Sequence, residues 1–402
     1  MRRFMPAALG VMFAAVPLLP SFIALTKVAF PGVSLVPSVV TYSVLGGCAV
    51  LAIYALTMLA RYPLRGSQPL LLPVLSIFGA GLLAGLAGFD PAAGLLFTLI
   101  GGLGIVWHCA IMRFYGDRYA ALTIYWAYML SCAVACAIAI AMVVTRHPAG
   151  QYALQHGRAT GTFILPGELA GYLIALLPPA YALGCVAAQR ALRVLGWIVL
   201  AIGLAALALT YSRAGWMGFA AAFAFLLAMR TRRGVGAAAI VAAAGAVAVL
   251  VLFNAHHNPS EDYTRLSIWQ AAIQVADRFP LTGVGPFNFS RLYALVRAPD
   301  GDPTAFHAHS IYLTFFVEFG IVGIATVAWT FYRFVGELRL RLACAPSPQA
   351  FLALSVAAGL VGVAVQGLID TVSVVIFGLW MPTMALALAA AKGGEPSPTV
   401  ER

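Results

Sequence analysis

The sequence predicts an all-α polytopic membrane protein with about 12 transmembrane helices. Of its 402 residues, 62% are hydrophobic and only 9% are charged, whereas charged residues approach a quarter of a soluble chain. Its apolar residues fall into runs of about 20, the length that an α-helix needs to cross a bilayer. Twelve such runs would place both ends of the chain on the same side of the membrane.

The predicted helices follow one another along almost the whole chain. The first run continues well past the length of a signal-peptide core, and no small-residue cleavage site follows it, so we expect it to remain as a span. The twelve predicted spans lie near residues 4–24, 37–59, 69–87, 92–112, 120–144, 162–186, 194–211, 215–230, 235–253, 310–332, 349–369 and 373–391.

The basic residues predict the orientation of these spans. The net charge of +11 would suggest nucleic-acid binding in a soluble protein, but here the basic residues lie in short connections, where they orient a membrane protein. Most fall on the side of the N-terminus, which is therefore expected to be cytoplasmic, as is the tail 392–402. Eight lie on the opposite side, called the outer side below, and topology does not explain them: Lys27, Arg146, Arg158, Arg213, Arg265, Arg278, Arg291 and Arg297.

One long connection divides the chain into nine spans over residues 1–253, an outer loop over 254–308 and three spans over 309–391. The loop is too long for a simple turn. Between Ser260 and Pro280 it reads as an amphipathic helix. Leu266, Trp269, Ile273 and Ala276 share one face of that helix, so we expect it to lie on the membrane surface.

Three outer arginines are candidates for binding an anion. Arg213 stands at a span boundary, where an unpaired charge costs at least about 3 kcal/mol. Its side chain could reach the membrane interface, cap a helix end or bind an anionic ligand. Arg158 and Arg265 could pair with Glu168 and Asp262 instead. Guanidinium groups match phosphate oxygens bidentately, so three converging arginines would suit a lipid-linked diphosphate.

A histidine and an aspartate complete the candidate site. His309 precedes an apolar span, where a neutral imidazole could take a proton from an attacking hydroxyl; the alternative is a polar helix cap. Asp370, at the outer end of another span, could form a salt bridge to an outer arginine, or hold an arginine or histidine in position. The His256–His257 pair has no carboxylate at ligand spacing, and we predict no metal and no cofactor.

Several segments, taken in order, resemble the signature of the O-antigen ligase and O-antigen polymerase superfamily, which also contains protein O-oligosaccharyltransferases. Members commonly carry Pro-Asn in the first segment, where this chain has Pro166-Gly167-Glu168, and His-Asn in the last, where it has His309-Ser310. The segments are "RATGTFILPGELAGYL", "TYSRAGW", "YTRLSIWQAAI", "PLTGVGPFNF" and "HAHSIYLTFFVEFGIVG".

The resemblance implies a membrane-embedded glycosyltransferase similar to the class called GT-C, in the bacterial inner membrane, with its active site facing the periplasm. It implies a ligase that moves O-antigen polysaccharide from undecaprenyl diphosphate to the outer-core sugar of lipid A-core, with inversion. Arg158, Arg213 and Arg265 would bind the diphosphate with Trp269 and Asp370, and His309 would act on the acceptor. The first outer loop, residues 26–37, has none of the acidic residues that many GT-C enzymes carry there, so we expect a metal-independent reaction.

Four alternatives remain. The closest is the polymerase, which uses a second polyprenyl-linked glycan as its acceptor. A protein-directed oligosaccharyltransferase is disfavoured, because no soluble acceptor-binding segment follows the last predicted span. A secondary transporter would fit twelve spans with buried charge, but the sequence shows no two matching halves. A purely structural membrane protein would not need three outer arginines near a histidine.

Overall fold

A computed structural model of the protein describes most of the chain after residue 67. The described residues are 68–113, 118–163, 165–230, 234–256, 259–299, 301–303, 305, 307–344, 347–371 and 380–391, with four positions between 53 and 60. Helices make up this part of the chain, and no strand occurs in it. The predicted spans near 4–24 and 37–59 therefore lie wholly or almost wholly outside the described residues.

Thirteen helices are described, numbered here in chain order. They are α1 (Leu71–Ala87), α2 (Pro91–Arg113), α3 (Arg118–Thr145), α4 (Ala149–Leu154), α5 (Pro166–Val186), α6 (Arg190–Leu209), α7 (Arg213–Arg230), α8 (Gly234–His256), α9 (Pro259–Arg278), α10 (Phe289–Val296), α11 (Ile311–Cys344), α12 (Ser347–Gln366) and α13 (Trp380–Ala391).

Six stretches are long and apolar enough to cross a membrane. They are Pro91–Arg113, Leu122–Thr145, Pro166–Val186, Arg190–Leu209, Ile311–Ala343 and Pro348–Gln366. The apolar stretches Leu71–Ala87 and Val235–Val251 are shorter. The described part of the chain is thus all-helical, as predicted, with six helices that could cross a membrane, while the count of twelve stays a prediction.

Helix α5 occupies the centre of the bundle and packs against α6, α7 and α12. Small residues allow α7 and α12 to approach each other closely: a side chain on Gly218 would meet the carbonyl of Gly362. Close backbone contact at small residues is how helices associate in lipid, where the hydrophobic effect gives no net drive. The packing brings the first residues of α5 beside the end of α12.

Helix α11 is broken near its outer end, at Gly320, where φ is 62° and ψ is −166°. This conformation is essentially restricted to glycine. Outer-loop backbone fills the break: the carbonyls of Pro280 and Leu281 accept hydrogen bonds from the N–H groups of Ile321 and Val322, at 2.9 and 3.2 Å. The predicted span near 310–332 is therefore an interrupted helix that continues to Cys344.

The outer-loop helix is present as α9, but of the predicted face only Ala276 is among its buried side chains. Its buried side chains are Ile268, Ala271, Ala272, Val275 and Ala276. Of the predicted face, Leu266 and Ile273 are each 52% exposed. Since the sequence carries apolar residues on two faces, one packs on the protein and the other stays available to a membrane surface.

We predict that Gly320→Ala lowers the free energy of unfolding by about 1–3 kcal/mol, because alanine is strained in this conformation and its methyl group would overlap the Leu281 carbonyl. Thermal unfolding of the purified protein in detergent measures this loss. The matched control is Gly336→Ala on the same helix, where a methyl group would meet nothing within 4 Å. Equal melting temperatures for the two variants would contradict the strained break.

Candidate functional site

Arg213 begins α7, directly after a tight turn that follows α6. Tyr211 in this turn has a positive φ of 49°, and the hydroxyl of Ser212 accepts a hydrogen bond from the Gly215 N–H at 3.0 Å, which caps the helix. The Arg213 guanidinium donates to Asp262 Oδ1 at 3.2 Å. Arg213 thus has a protein partner, and the ion pair joins α7 to the outer-loop helix α9.

Arg158 is held against the same turn. Its Nε donates to the carbonyl of Thr210 at 2.9 Å, and the backbone N–H of Ala159 donates to the carbonyl of Leu209 at 2.9 Å. Two bonds from adjacent residues fix the direction of the Arg158 side chain. Arg158 and Arg213 therefore belong to one cluster.

Arg265 and Trp269 follow Asp262 on α9 at spacings of three and seven residues, which places all three on one side of the helix. Arg265 is close enough to His307 for its charge to lower the pKa of that histidine. The indole N–H of Trp269 is buried and finds no acceptor among the described residues. Asp262 thus links the Arg158–Arg213 cluster to the face of α9 that reaches the histidines.

His307 and His309 contact each other just before α11. The backbone N–H of His309 donates to His307 Nδ1 at 3.1 Å, and the two rings meet edge to face with centroids 4.4 Å apart. Burial, followed by the neighbouring His309 and Arg265, holds the pKa of His307 well below its ordinary value. His307 is therefore neutral, with Nδ1 as an acceptor that fixes the backbone of His309.

The backbone on both sides of His309 is tied to its neighbours. His309 itself has a φ of 49°, and α11 begins two residues later. Just past the end of α12, the carbonyl of Gly367 accepts from the Ile311 N–H at 2.8 Å and from the Ser310 hydroxyl at 3.3 Å. His309 thus stands at the predicted start of a span, on a backbone fixed by α12.

The carboxylate of Asp370 contacts the backbone of neighbouring residues. Its Oδ1 accepts from the Thr371 N–H at 2.9 Å, and its other oxygen lies against Gly167, where any side chain would overlap it. Within the described part of the chain Asp370 forms no ion pair, and its role in positioning an arginine or a histidine stays a prediction. Gly167, where related sequences were expected to carry asparagine, leaves room for this carboxylate.

A chain of hydroxyl groups connects Asp370 with the histidine segment. Thr371 shares a hydrogen bond with Thr314 over 3.3 Å, and the Thr314 hydroxyl accepts from the N–H of Ala308 at 3.3 Å. Neither threonine was singled out in the sequence. Thr314 lies one helical turn after Ser310, and that position is the only signal that could have found it.

An apolar cavity with a volume of about 60 Å³ lies beside this network. Ile311, Thr314 and Thr371 belong both to its wall and to the anchors of the histidine segment. The rest of the wall comes mainly from α1, α2 and α11, together with Phe287 of the outer loop. The mostly apolar wall of this cavity fits an apolar chain better than a polar ligand.

Residues 198–328 match the family model described as O-Antigen ligase. This part of the chain is similar to O-antigen ligases. The match spans a third of the chain, and it contains Arg213, Arg265, Trp269 and His309 but neither Arg158 nor Asp370. A search of the curated proteins gives no match.

The match to the O-antigen ligase family, together with six helices long and apolar enough to cross a membrane, supports a multi-pass membrane protein. Among the described residues, no group of three His, Cys, Asp or Glu side chains is arranged to hold a metal ion. A metal-independent reaction stays a prediction.

We predict that acid destabilises the protein through His307. The unfolded chain takes up a proton below pH about 6.5, whereas the folded state keeps this ring neutral. The contribution of His307 is therefore complete above that pH and falls as the pH decreases, by about 1.4 kcal/mol at pH 5.5. Thermal unfolding of wild type and His307→Asn at pH 7.5 and 5.5 should show a smaller pH response in the variant.

The control for this measurement is His147→Asn, which alters an exposed histidine in another outer connection and should keep the wild-type response. An unchanged response in His307→Asn would mean that His307 is already protonated in the folded protein.

Proposed function

We propose that this protein transfers O-antigen polysaccharide from undecaprenyl diphosphate to the outer-core sugar of lipid A-core, at the periplasmic face of the inner membrane. The observation that carries the proposal is the connection between the outer arginines and His309. Arg158 is bound to the turn before Arg213, Arg213 is paired with Asp262, and Arg265 acts on the histidine pair. The match to the O-antigen ligase family supports the class of reaction.

The arginines are suited to the leaving diphosphate. When the bond between the anomeric carbon and the phosphate oxygen breaks, negative charge develops on that oxygen and needs fixed positive partners. Arg158 and Arg213 lie on one rigid turn, while Arg265 approaches from α9. The Asp262 side chain is 41% exposed, so a diphosphate can compete for Arg213 from the solvent side. Arginine charge would then replace a metal ion in this role.

His309 is suited to activate the acceptor. In the proposed step the acceptor hydroxyl oxygen attacks the anomeric carbon from the side opposite the diphosphate, and its proton passes to the His309 imidazole. The anomeric configuration inverts, and both electrons of the broken bond leave with the diphosphate. The bond from the backbone N–H of His309 to His307 Nδ1 fixes the backbone that carries the imidazole, and Asp370 supports the same segment through Thr371 and Thr314.

The apolar cavity supports a polyprenyl-linked donor. It begins at the segment that carries His309 and extends between α1, α2 and α11. An isoprenoid chain in this cavity would leave its diphosphate at the polar end, near the arginines. Trp269, with its buried indole N–H, would contact the donor from α9.

The first test identifies the product. Purified protein is incubated with undecaprenyl-diphosphate glycan and lipid A-core, and mass spectrometry shows which molecule carries the added sugar. We expect sugar on lipid A-core. Longer glycan on the polyprenyl carrier would identify the activity as that of a polymerase instead of a ligase. No transfer at all would overturn the proposal.

In the same assay, His309→Ala should lower the transfer rate by about 10²–10⁴-fold, the usual contribution of a general base. Arg265→Ala should lower it by about 10²–10³-fold, the usual effect of removing one charge-stabilising donor. The matched controls are His147→Ala and Arg278→Ala, which alter exposed residues of the outer side, Arg278 lying on the same helix as Arg265. Near wild-type rates in well-folded His309→Ala and Arg265→Ala proteins would refute these roles.

Removal of divalent ions tests the role of the arginines in another way. We expect the transfer rate to be unchanged after treatment with EDTA, because three arginines supply the positive charge that the leaving diphosphate needs. The measurement compares rates before EDTA, after EDTA, and after adding back Mg²⁺ or Mn²⁺. A loss on chelation that either ion reverses would show that a metal ion takes part.

A further inference from the structure

Glu318 is a buried carboxylate that the proposed mechanism does not use. It lies on α11 two residues before the break at Gly320 and is only 5% exposed. A carboxylate at this depth is costly unless its oxygens are hydrogen-bonded. The partners of Glu318 therefore indicate what the residue stabilises.

Those partners are backbone groups of the outer loop. The Glu318 carboxylate accepts hydrogen bonds from the N–H groups of Phe287 and Phe289. Phe289 is the first residue of α10, and Asn288 before it provides no side-chain cap. Glu318 thus caps α10 from a different helix and also holds Phe287, whose φ is 59°.

The backbone around Glu318 binds the same loop. The N–H of Val284 donates to the carbonyl of Val317 at 2.9 Å, and the N–H of Gly285 donates to the carbonyl of Glu318 at 3.0 Å. Gly283, with a φ of 69°, lies so close to this carbonyl that a side chain would overlap it. Residues 280–289 are therefore bound on both sides of the helix break.

The outer turn between α1 and α2 holds the loop from the opposite side. Phe89 donates its N–H to the carbonyl of Val284 at 2.9 Å, and Asp90 forms an ion pair with Arg291 of α10. The rings of Phe97 and Phe287 stack with centroids 3.8 Å apart. Three segments thus meet at a joint, defined here as residues 88–90, residues 280–289 and the backbone from Val317 to Val322.

This joint lies between the two halves of the candidate site. Helix α9, which carries Arg265, ends at Arg278, two residues before the joint. Helix α11, which contains Glu318, begins two residues after His309. Apolar contacts between α9 and α11 are present too, but the joint fixes the end of α9 by hydrogen bonds.

We infer that Glu318 is a positioning residue for the transfer reaction. By holding residues 280–289 in the helix break, it sets the position of α9 relative to α11 and so keeps Arg265 beside His307 and His309. The inference rests on the proposed function. A misplacement of about 1 Å can cost on the order of 10²-fold in rate, so a contact outside the reacting groups is sufficient for this role.

Three variants separate position from charge. Glu318→Gln keeps the length of the side chain and an oxygen that can accept from the loop, but loses the charge. Glu318→Asp keeps the charge but is one methylene too short to reach the same N–H groups. Glu318→Leu loses the hydrogen bonds altogether. If Glu318 acts by holding the outer loop in place, the Glu318→Gln variant retains function, while Glu318→Asp and Glu318→Leu lose it.

In the transfer assay we expect kcat to fall at least about tenfold in Glu318→Asp and Glu318→Leu and to stay near wild type in Glu318→Gln. The matched control is Glu337→Leu, which removes an inner-side carboxylate of the same helix that pairs with Arg333 and Arg341 and should leave the rate unchanged.

A distance measurement tests the position of α9 without any substrate. Spin labels are placed on unnatural residues at Gln274 of α9 and at Val144 on α3, both exposed positions away from the joint. The distance distribution should shift or broaden in Glu318→Asp and Glu318→Leu and should match wild type in Glu318→Gln and Glu337→Leu.

The two readouts distinguish the possible failures. Unchanged distances in folded Glu318→Asp would overturn the positioning role, as would a kcat for Glu318→Gln as low as that of Glu318→Asp. If Glu318→Leu does not fold, the comparison of Gln with Asp still decides. If the wild-type protein transfers no glycan, the proposed function fails, whereas the distances still show whether Glu318 positions α9.

Discussion

Backbone groups inside a membrane must be hydrogen-bonded by the protein itself, because no water is present to replace a missing partner. The interruption of α11 at Gly320 would leave such groups exposed, and the outer loop supplies their partners. A loop that fills a helix break is held as firmly as a helix. The rigidity of the outer segment, and with it the spacing of the candidate site, depends on this exchange of hydrogen bonds.

The same constraint explains how the charged groups are arranged. Arg213 has Asp262 as its partner, Glu318 has two backbone N–H groups, and Asp370 has the N–H of Thr371. Each charge is satisfied by a group from a neighbouring segment, so each also fixes where that segment lies. These polar groups would be costly in lipid without partners. Because their partners lie on neighbouring segments, their contacts hold the outer end of the bundle together.

Some residues of the candidate site lie within the match to the O-antigen ligase family, and others lie outside it. Helix α7, the outer-loop helix and the start of α11 fall within the match to the O-antigen ligase family, whereas Arg158 and Asp370 lie outside it. Those two residues join the site only through contacts: Arg158 through the carbonyl of Thr210, and Asp370 through Gly167 and Thr371.

The sequence by itself determined the elements. Runs of about 20 apolar residues require helices in lipid, and the described helices lie close to the predicted ones; His309 stands where an apolar run begins. Ordered motifs likewise indicated a resemblance to the family whose model matches residues 198–328.

Tertiary structure decided which groups meet. The sequence could not show that α9 packs through Ile268 and Val275, that Arg213 pairs with Asp262 49 residues away, or that Asp370 faces a glycine. Nor could it show the break in α11, because a glycine within an apolar run is common in membrane helices. Periodicity and hydropathy report on neighbours along the chain, whereas these contacts join segments that are distant in sequence and depend on how the helices pack.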